Sequence, residues 1–125
     1  MKARDRRIVA IRGATTVERD TAAHITDAVG ELVREIVRQN DISPAQVVSA
    51  QFTATADLVA AFPSSATRLI DGWADVPLLC AQAVSVTDGL PRCIRLLLTI
   101  ERDPPAAEVR HVYLREARGL RPDLQ

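Results

Sequence analysis

The stretch Cys93–Ile100, Cys-Ile-Arg-Leu-Leu-Leu-Thr-Ile, constrains the fold more than any other, because it is a run of branched aliphatics interrupted by one arginine. Thr87-Asp88-Gly89-Leu90-Pro91 precedes it and Asp103-Pro104-Pro105 follows, so turn-forming residues bound it on both sides and it reads as a buried strand. Arg95 is then an anomaly. A guanidinium is always charged and is rarely buried without a partner, so Arg95 must reach an acid, the rim of the strand or an anionic ligand.

The rest of the pattern supplies neighbours for that strand. Arg7–Gly13 predicts a first strand that ends at its glycine, with Arg12 at the C-terminal end. Asp20 or Thr21 is placed to cap a helix in which Ile25, Val29, Leu32, Val33, Ile36 and Val37 recur at helical spacing, and Asn40 is expected to close it in the left-handed conformation. Ser43-Pro44 opens a short helical turn, and Val47–Thr55 reads as a strand. Pro63 starts a helical segment carrying Arg68, with Phe62 just before it and Gly72-Trp73 as its break. Val76–Val84 predicts another largely buried strand, led back to the Arg95 strand by an Asp88-Gly89 turn. Ala106–Arg110 is expected to form one helical turn, His111–Leu114 a last strand and Leu120–Gln125 an extended tail. The sum is a single α+β domain over residues 1–125, a mixed β-sheet of about five strands with one long helix. One helix covers one face of a sheet, so the other face calls for a partner and a homo-oligomer follows.

Composition narrows the function classes. With 125 residues, 47% of them hydrophobic and 26% charged, the chain buries one core and has no room for a second. Its apolar runs are too short for a membrane span and Met1–Arg7 lacks the apolar segment of a secretory signal, so a cytoplasmic protein with no membrane partner is expected. Cys80 and Cys93 have no metal-ligand spacing and read as reduced thiols. Zero net charge argues against nucleic acid as a partner, and the four aromatics Phe52, Phe62, Trp73 and Tyr113 make base-stacking platforms improbable. Of 16 basic residues only Lys2 is lysine. That bias accompanies GC-rich coding, but arginine also suits forked contacts with carboxylates.

Several motifs taken together resemble the monofunctional AroH-type chorismate mutases over nearly the whole chain. They are Ile11-Arg12-Gly13-Ala14-Thr15-Thr16-Val17-Glu18-Arg19-Asp20-Thr21, Phe62-Pro63, Gly72-Trp73, Val76-Pro77, Cys80, Cys93-Ile94-Arg95, Arg110-His111-Val112-Tyr113-Leu114 and Leu120-Arg121-Pro122-Asp123-Leu124. The resemblance implies a homotrimer shaped as a pseudo α/β barrel, with active sites between neighbouring subunits. It also implies the Claisen rearrangement of chorismate, a dicarboxylate, to prephenate in aromatic amino-acid biosynthesis, with no metal, cofactor or covalent intermediate. Arg95 would donate to the ether oxygen whose bond breaks, and Arg12 and Tyr113 would grip the enolpyruvyl carboxylate. From the adjoining subunit Phe62 would wall the pocket and Arg68 add positive potential, Leu79 and Cys80 would line it near the ring, and Arg121 would help close it.

Two positions depart from the family pattern. Ala83 stands where the family has a glutamate that accepts from the ring hydroxyl, and Ser65 replaces a lysine of the second-subunit wall. Diverged chemistry on chorismate or isochorismate, by pyruvate elimination or dehydration, and a non-catalytic carboxylate-binding trimer therefore stand beside the mutase reading. Without the resemblance Arg95 reads equally well as a strand-rim salt bridge, Tyr113 as a core residue with its hydroxyl tied off, and Cys80 and Cys93 as ordinary buried thiols. His24 falls on the polar side of the long helix and His111 has no acid or nucleophile at recognisable spacing, so neither is a catalytic candidate.

Overall fold

In the computed structural model, which describes residues 6–103 and 108–125, the chain runs through strand β1 (Arg7–Thr16), helix α1 (Ala22–Asn40) and strands β2 (Val47–Ala54), β3 (Leu78–Gln82), β4 (Cys93–Arg102) and β5 (Val112–Tyr113). Short 3-10 segments lie at Pro44–Gln46, Pro63–Leu69, Arg115–Gly119 and Pro122–Leu124. The sheet order is β3-β2-β4-β1-β5. β4 is antiparallel to both β1 and β2, while β3 runs parallel to β2 and β5 parallel to β1, so the sheet is mixed as expected.

The apolar run occupies the central strand, but only one of its faces is buried. Ile94, Leu96, Leu98 and Ile100 point to the core, whereas Arg95 and Leu97 alternate to the open face. The expectation of burial on both faces is corrected here, and with it the puzzle of Arg95. Its charge stays in water on the face that no helix covers. That open face also carries Ile8, Leu79 and Leu97, apolar side chains left exposed.

The other face is sealed by α1. Its apolar positions Ile25, Val29, Leu32, Val33 and Ile36 are all buried and Val37 packs at their edge, as the spacing predicts. Thr21 is the cap, with its hydroxyl accepting from the His24 N–H at 3.0 Å. Asp20 instead accepts from the Val59 and Ala60 amides, both at 3.0 Å, and so holds the loop before Phe62. The left-handed residue is Asp41 at φ 50°, not Asn40. Asn40 is buried, and its amide donates to the carbonyl of Arg110 at 2.9 Å and accepts from the Arg110 N–H at 2.7 Å. Arg102, also buried, donates to the Asn40 carbonyl at the negative end of the helix.

β1 does not end at Gly13. It continues to Thr16, and the glycine serves packing: a Cβ there would lie 2.6 Å from Ile36 Cδ1 and 3.3 Å from Leu32 Cδ1. A second glycine is needed at the break after Pro63–Leu69, where Gly72 takes φ +85° against the Pro44 ring and delivers Trp73, 1% exposed, to the core. The Pro63–Leu69 segment is 3-10 rather than α-helical. The Ser43-Pro44 turn forms as predicted, and β2 ends at Ala54, one residue early.

β3 differs most from expectation. It spans Leu78–Gln82 rather than Val76–Val84, has exposed residues at Leu79, Ala81 and Gln82, and pairs with β2 instead of forming a hairpin with β4. The long connection through residues 55–77 allows that parallel edge, and a tight Asp88-Gly89 turn does not override it. Of the helical turn expected at Ala106–Arg110, Ala106 and Ala107 lie outside the described residues and 108–110 are not helical. The last strand is only Val112–Tyr113. The end of the chain is not an extended tail. Leu120 and Leu124 fold back, and with Leu90 they pack on Ala14, Tyr113 and Ala117, a small second cluster on the open face.

Gly13→Val tests the close helix–strand contact. Overpacking beneath Ile36 is expected to cost about 1–3 kcal/mol, read as a lowered midpoint in urea unfolding with an unchanged slope.

Candidate active site

Sheet register builds the site. Ala14 on β1 lies opposite Arg95 on β4 and beside Tyr113 on β5, so one small side chain has a guanidinium on one flank and a phenol on the other. Arg12 precedes Ala14 by two residues and projects from the same face of β1. Arg121 comes from the folded-back terminus. Arg12, Arg95, Tyr113 and Arg121 together line one concavity of about 400 Å³, with Gly13, Ala14, Gln51, Thr53, Leu96 and Leu97.

Among the described residues no carboxylate lines it, and Asp123, paired with Arg121, is the acid at its rim. Arg12 and Arg95 have no acid partner among the described residues. Arg121 is held by Asp123 through Nε–Oδ1 at 3.0 Å and Nη2–Oδ2 at 2.7 Å. That forked pair holds the Asp123 carboxyl below its usual range, although both groups are exposed. Unpaired guanidinia at a strand face with a phenol beside them form a site for an anion, and the fork of each favours a carboxylate. Behind Arg95, burial raises the Cys93 thiol above its ordinary pKa, with the guanidinium opposing, so the sulfur stays protonated.

Ala83 lies just past β3 and donates its N–H to the Ala54 carbonyl at 2.9 Å. It lines a neighbouring concavity of about 670 Å³ that shares Arg95 and Thr53 with the first. Asp57 lines the same hollow as Ala83. It is already engaged. Burial acts to raise its pKa, but bonds from the Thr55 hydroxyl and the Arg92 backbone outweigh that and keep it ionised and committed to the turn.

The other predicted site residues are not gathered with these in one protomer. Phe62, 71% exposed, and Cys80 line a separate hollow of about 580 Å³. Cys80 pairs with Phe52 and packs against the core, so it faces away from the Arg95 side of the sheet, while Leu79 beside it faces that side and is exposed. Arg68 and Ser65 sit on the Pro63–Leu69 segment, Arg68 exposed. Both cysteines are free.

Sequence reasoning missed three contributors. Gln51 and Thr53 line the concavity because β2 alternates, with Ala50 and Phe52 inward; that alternation was readable, but the register placing Thr53 opposite Arg95 was not. His111 accepts a hydrogen bond from the Arg12 N–H at Nδ1, 2.9 Å away. Its position two residues before Tyr113 was the available signal.

Among the described residues no group of His, Cys, Asp or Glu is placed to hold a metal, and no helix is long and apolar enough to cross a membrane. Comparison with known proteins identifies the family. Residues 8–124 match the family model "Chorismate mutase type I". The chain is 46% identical over 114 residues to chorismate mutase AroH of Bacillus subtilis, covering 91% of this chain and 90% of that protein. It is 49% identical over 116 residues to chorismate mutase AroH of Thermus thermophilus, covering 92% and 94%. A solved chorismate mutase from Clostridium thermocellum superposes with a TM-score of 0.83 at 37% identity, over 88% of this chain and 97% of that one. With the match spanning nearly every element that builds the arginine-lined concavity, the chain belongs to the chorismate mutase type I family.

Proposed function

We propose that this protein rearranges chorismate to prephenate, and that the arginine-lined concavity on the open sheet face is where it does so. The observation that carries the reading is the grouping of Arg12, Arg95, Tyr113 and Arg121 around a hollow that no carboxylate of the described residues lines. The substrate is a dicarboxylate. In the rearrangement the breaking carbon–oxygen bond leaves negative charge on the ether oxygen, and a fixed cation aimed there stabilises the transition state more than the ground state. Arg95 takes that role. Arg12 and Tyr113 hold the enolpyruvyl carboxylate so that the arm stays folded over the ring, which supplies the rest through orientation. Arg121 closes the site by exchanging Asp123 for the substrate. The reaction is intramolecular and calls for no cofactor.

A homotrimer completes the site in this reading. Phe62 and Arg68 are exposed and stand apart from the arginine cluster of their own protomer, and the neighbouring copy is where they would form its wall. Leu79 on the open face would line the ring end; Cys80 would reach it only from the far side of β3.

Ala83 supports a second reading. The family glutamate's place is taken by a methyl group, and Asp57 nearby is already bonded. A site without that acceptor no longer demands a donor at the chorismate hydroxyl, so isochorismate, with its hydroxyl elsewhere on the ring, becomes an eligible substrate. Incubating the protein separately with chorismate and isochorismate and identifying the products by NMR separates the readings. Prephenate from chorismate supports the mutase. Another product identifies a diverged enzyme, and saturable binding without turnover of either identifies a binding trimer.

Two variants sharpen the test. Arg95→Ala is expected to lower kcat by about 10²–10³ and to leave the melting temperature nearly unchanged, since the side chain is exposed and has no acid partner among the described residues. Restoring the acid in Ala83→Glu is expected to raise prephenate formation by roughly 10²; an unchanged rate would sink the claim that Ala83 limits the chemistry.

A further inference from the structure

The bond between His111 and the main chain of Arg12 has a use beyond the substrate contacts. β5 is two residues long, and its pairing with β1 covers Gly13 with Val112 and Ala14 with Tyr113. At Arg12 the ladder has run out. The Arg12 N–H there donates to His111 Nδ1 at 2.9 Å, so the imidazole supplies the rung that β5 is too short to make. An accepting ring nitrogen carries no proton, which puts the proton on Nε2. On its other edge Arg12 pairs with Leu97 of β4. His111 is itself tethered, because the preceding Arg110 is bound at both N and O by the Asn40 amide.

The charges around the ring oppose its protonation. Arg12 faces it from β1 and Arg121 from the C-terminal turn, where Asp123 is engaged with Arg121. Arg110 adjoins it in the chain, and α1 presents the neutral Asn40 to that segment. Partial burial first, then Arg12 and Arg121, lower the imidazole below its ordinary 6.5. At neutral pH it is an acceptor.

We propose that His111 is a positioning residue of the arginine cluster: its neutral imidazole fixes the β1 main chain at Arg12 so that the guanidinium meets a bound carboxylate, and protonation of the ring releases that hold. The inference rests on the carboxylate-binding reading of the concavity. Because the folded-state pKa is lowered, the ring's contribution to stability is complete above 6.5 and is lost as pH falls from there through the folded value.

The test combines long-range proton–nitrogen NMR of the imidazole with mutase kinetics between about pH 5 and 8, on the wild type, His111→Asn and His111→Leu. Asparagine keeps an acceptor and does not titrate; leucine removes the acceptor. The expected result is an Nε2–H tautomer with a lowered pKa, and a KM for chorismate that rises roughly tenfold in His111→Leu with kcat nearly kept. His111→Asn is expected to retain the wild-type KM at neutral pH and to lose the rise in KM on the acid side. An Nδ1–H tautomer, a leucine variant with wild-type KM, or an acid limb that persists in the asparagine variant overturns the proposal. If the wild type turns over no chorismate, the mutase reading fails separately. The tautomer, the exchange protection of the Arg12 amide and the dissociation constant for chorismate across the same pH range then decide the role of His111.

Discussion

Everything in this fold depends on the two-residue alternation of the central strand. β4 pairs with β1 on one side and β2 on the other, so its register fixes which residues of three strands share a face. Ile94, Leu96, Leu98 and Ile100 commit one face to α1, and Arg95 and Leu97 are thereby committed to the other. A slip of one residue would bury a guanidinium beneath the helix and expose the core. The same hydrophobic burial that stabilises the domain therefore also aims Arg95.

Helix packing and site geometry meet again at β1. Gly13 lets α1 approach closely on one face, while Arg12 and Ala14 on either side of it face the concavity. Tyr113 is pressed into place by Leu90, Leu120 and Leu124, which also bring Arg121 to the rim. Two polar side chains, Asn40 and His111, replace missing backbone pairings around the short β5. The edge of the sheet that carries Tyr113 thus rests on side-chain amide and imidazole bonds as well as on a short strand ladder.

Much of this was legible in the sequence. The spacing of Ile25 to Val37 gave the long helix and its buried face, and the family resemblance named Arg12, Arg95, Tyr113 and Arg121, which line one concavity. What was not legible depended on register and on contacts distant in sequence. Gly13 looked like a strand end because a glycine's packing partner, Ile36, cannot be inferred locally. The segment Val76–Val84 looked buried because its apolar composition does not reveal an edge strand. Asn40 looked like a helix terminator, when its amide was needed by Arg110. The fold-back of Leu120–Gln125 was hidden for the same reason, since the surface it covers is formed by residues far earlier in the chain.

That distance has a consequence for how the protein is made. The concavity joins Arg12 from the first strand to Arg121 from the last turn, and the bond from Arg12 to His111 spans 99 positions. During synthesis the helix and the β1 segment leave the ribosome long before anything can close over them, and loop closure between such remote partners is a slow step in folding. Arg12 and Arg95 can meet as soon as β4 pairs with β1, but the full set with Tyr113 and Arg121 comes together only after residue 121 has emerged.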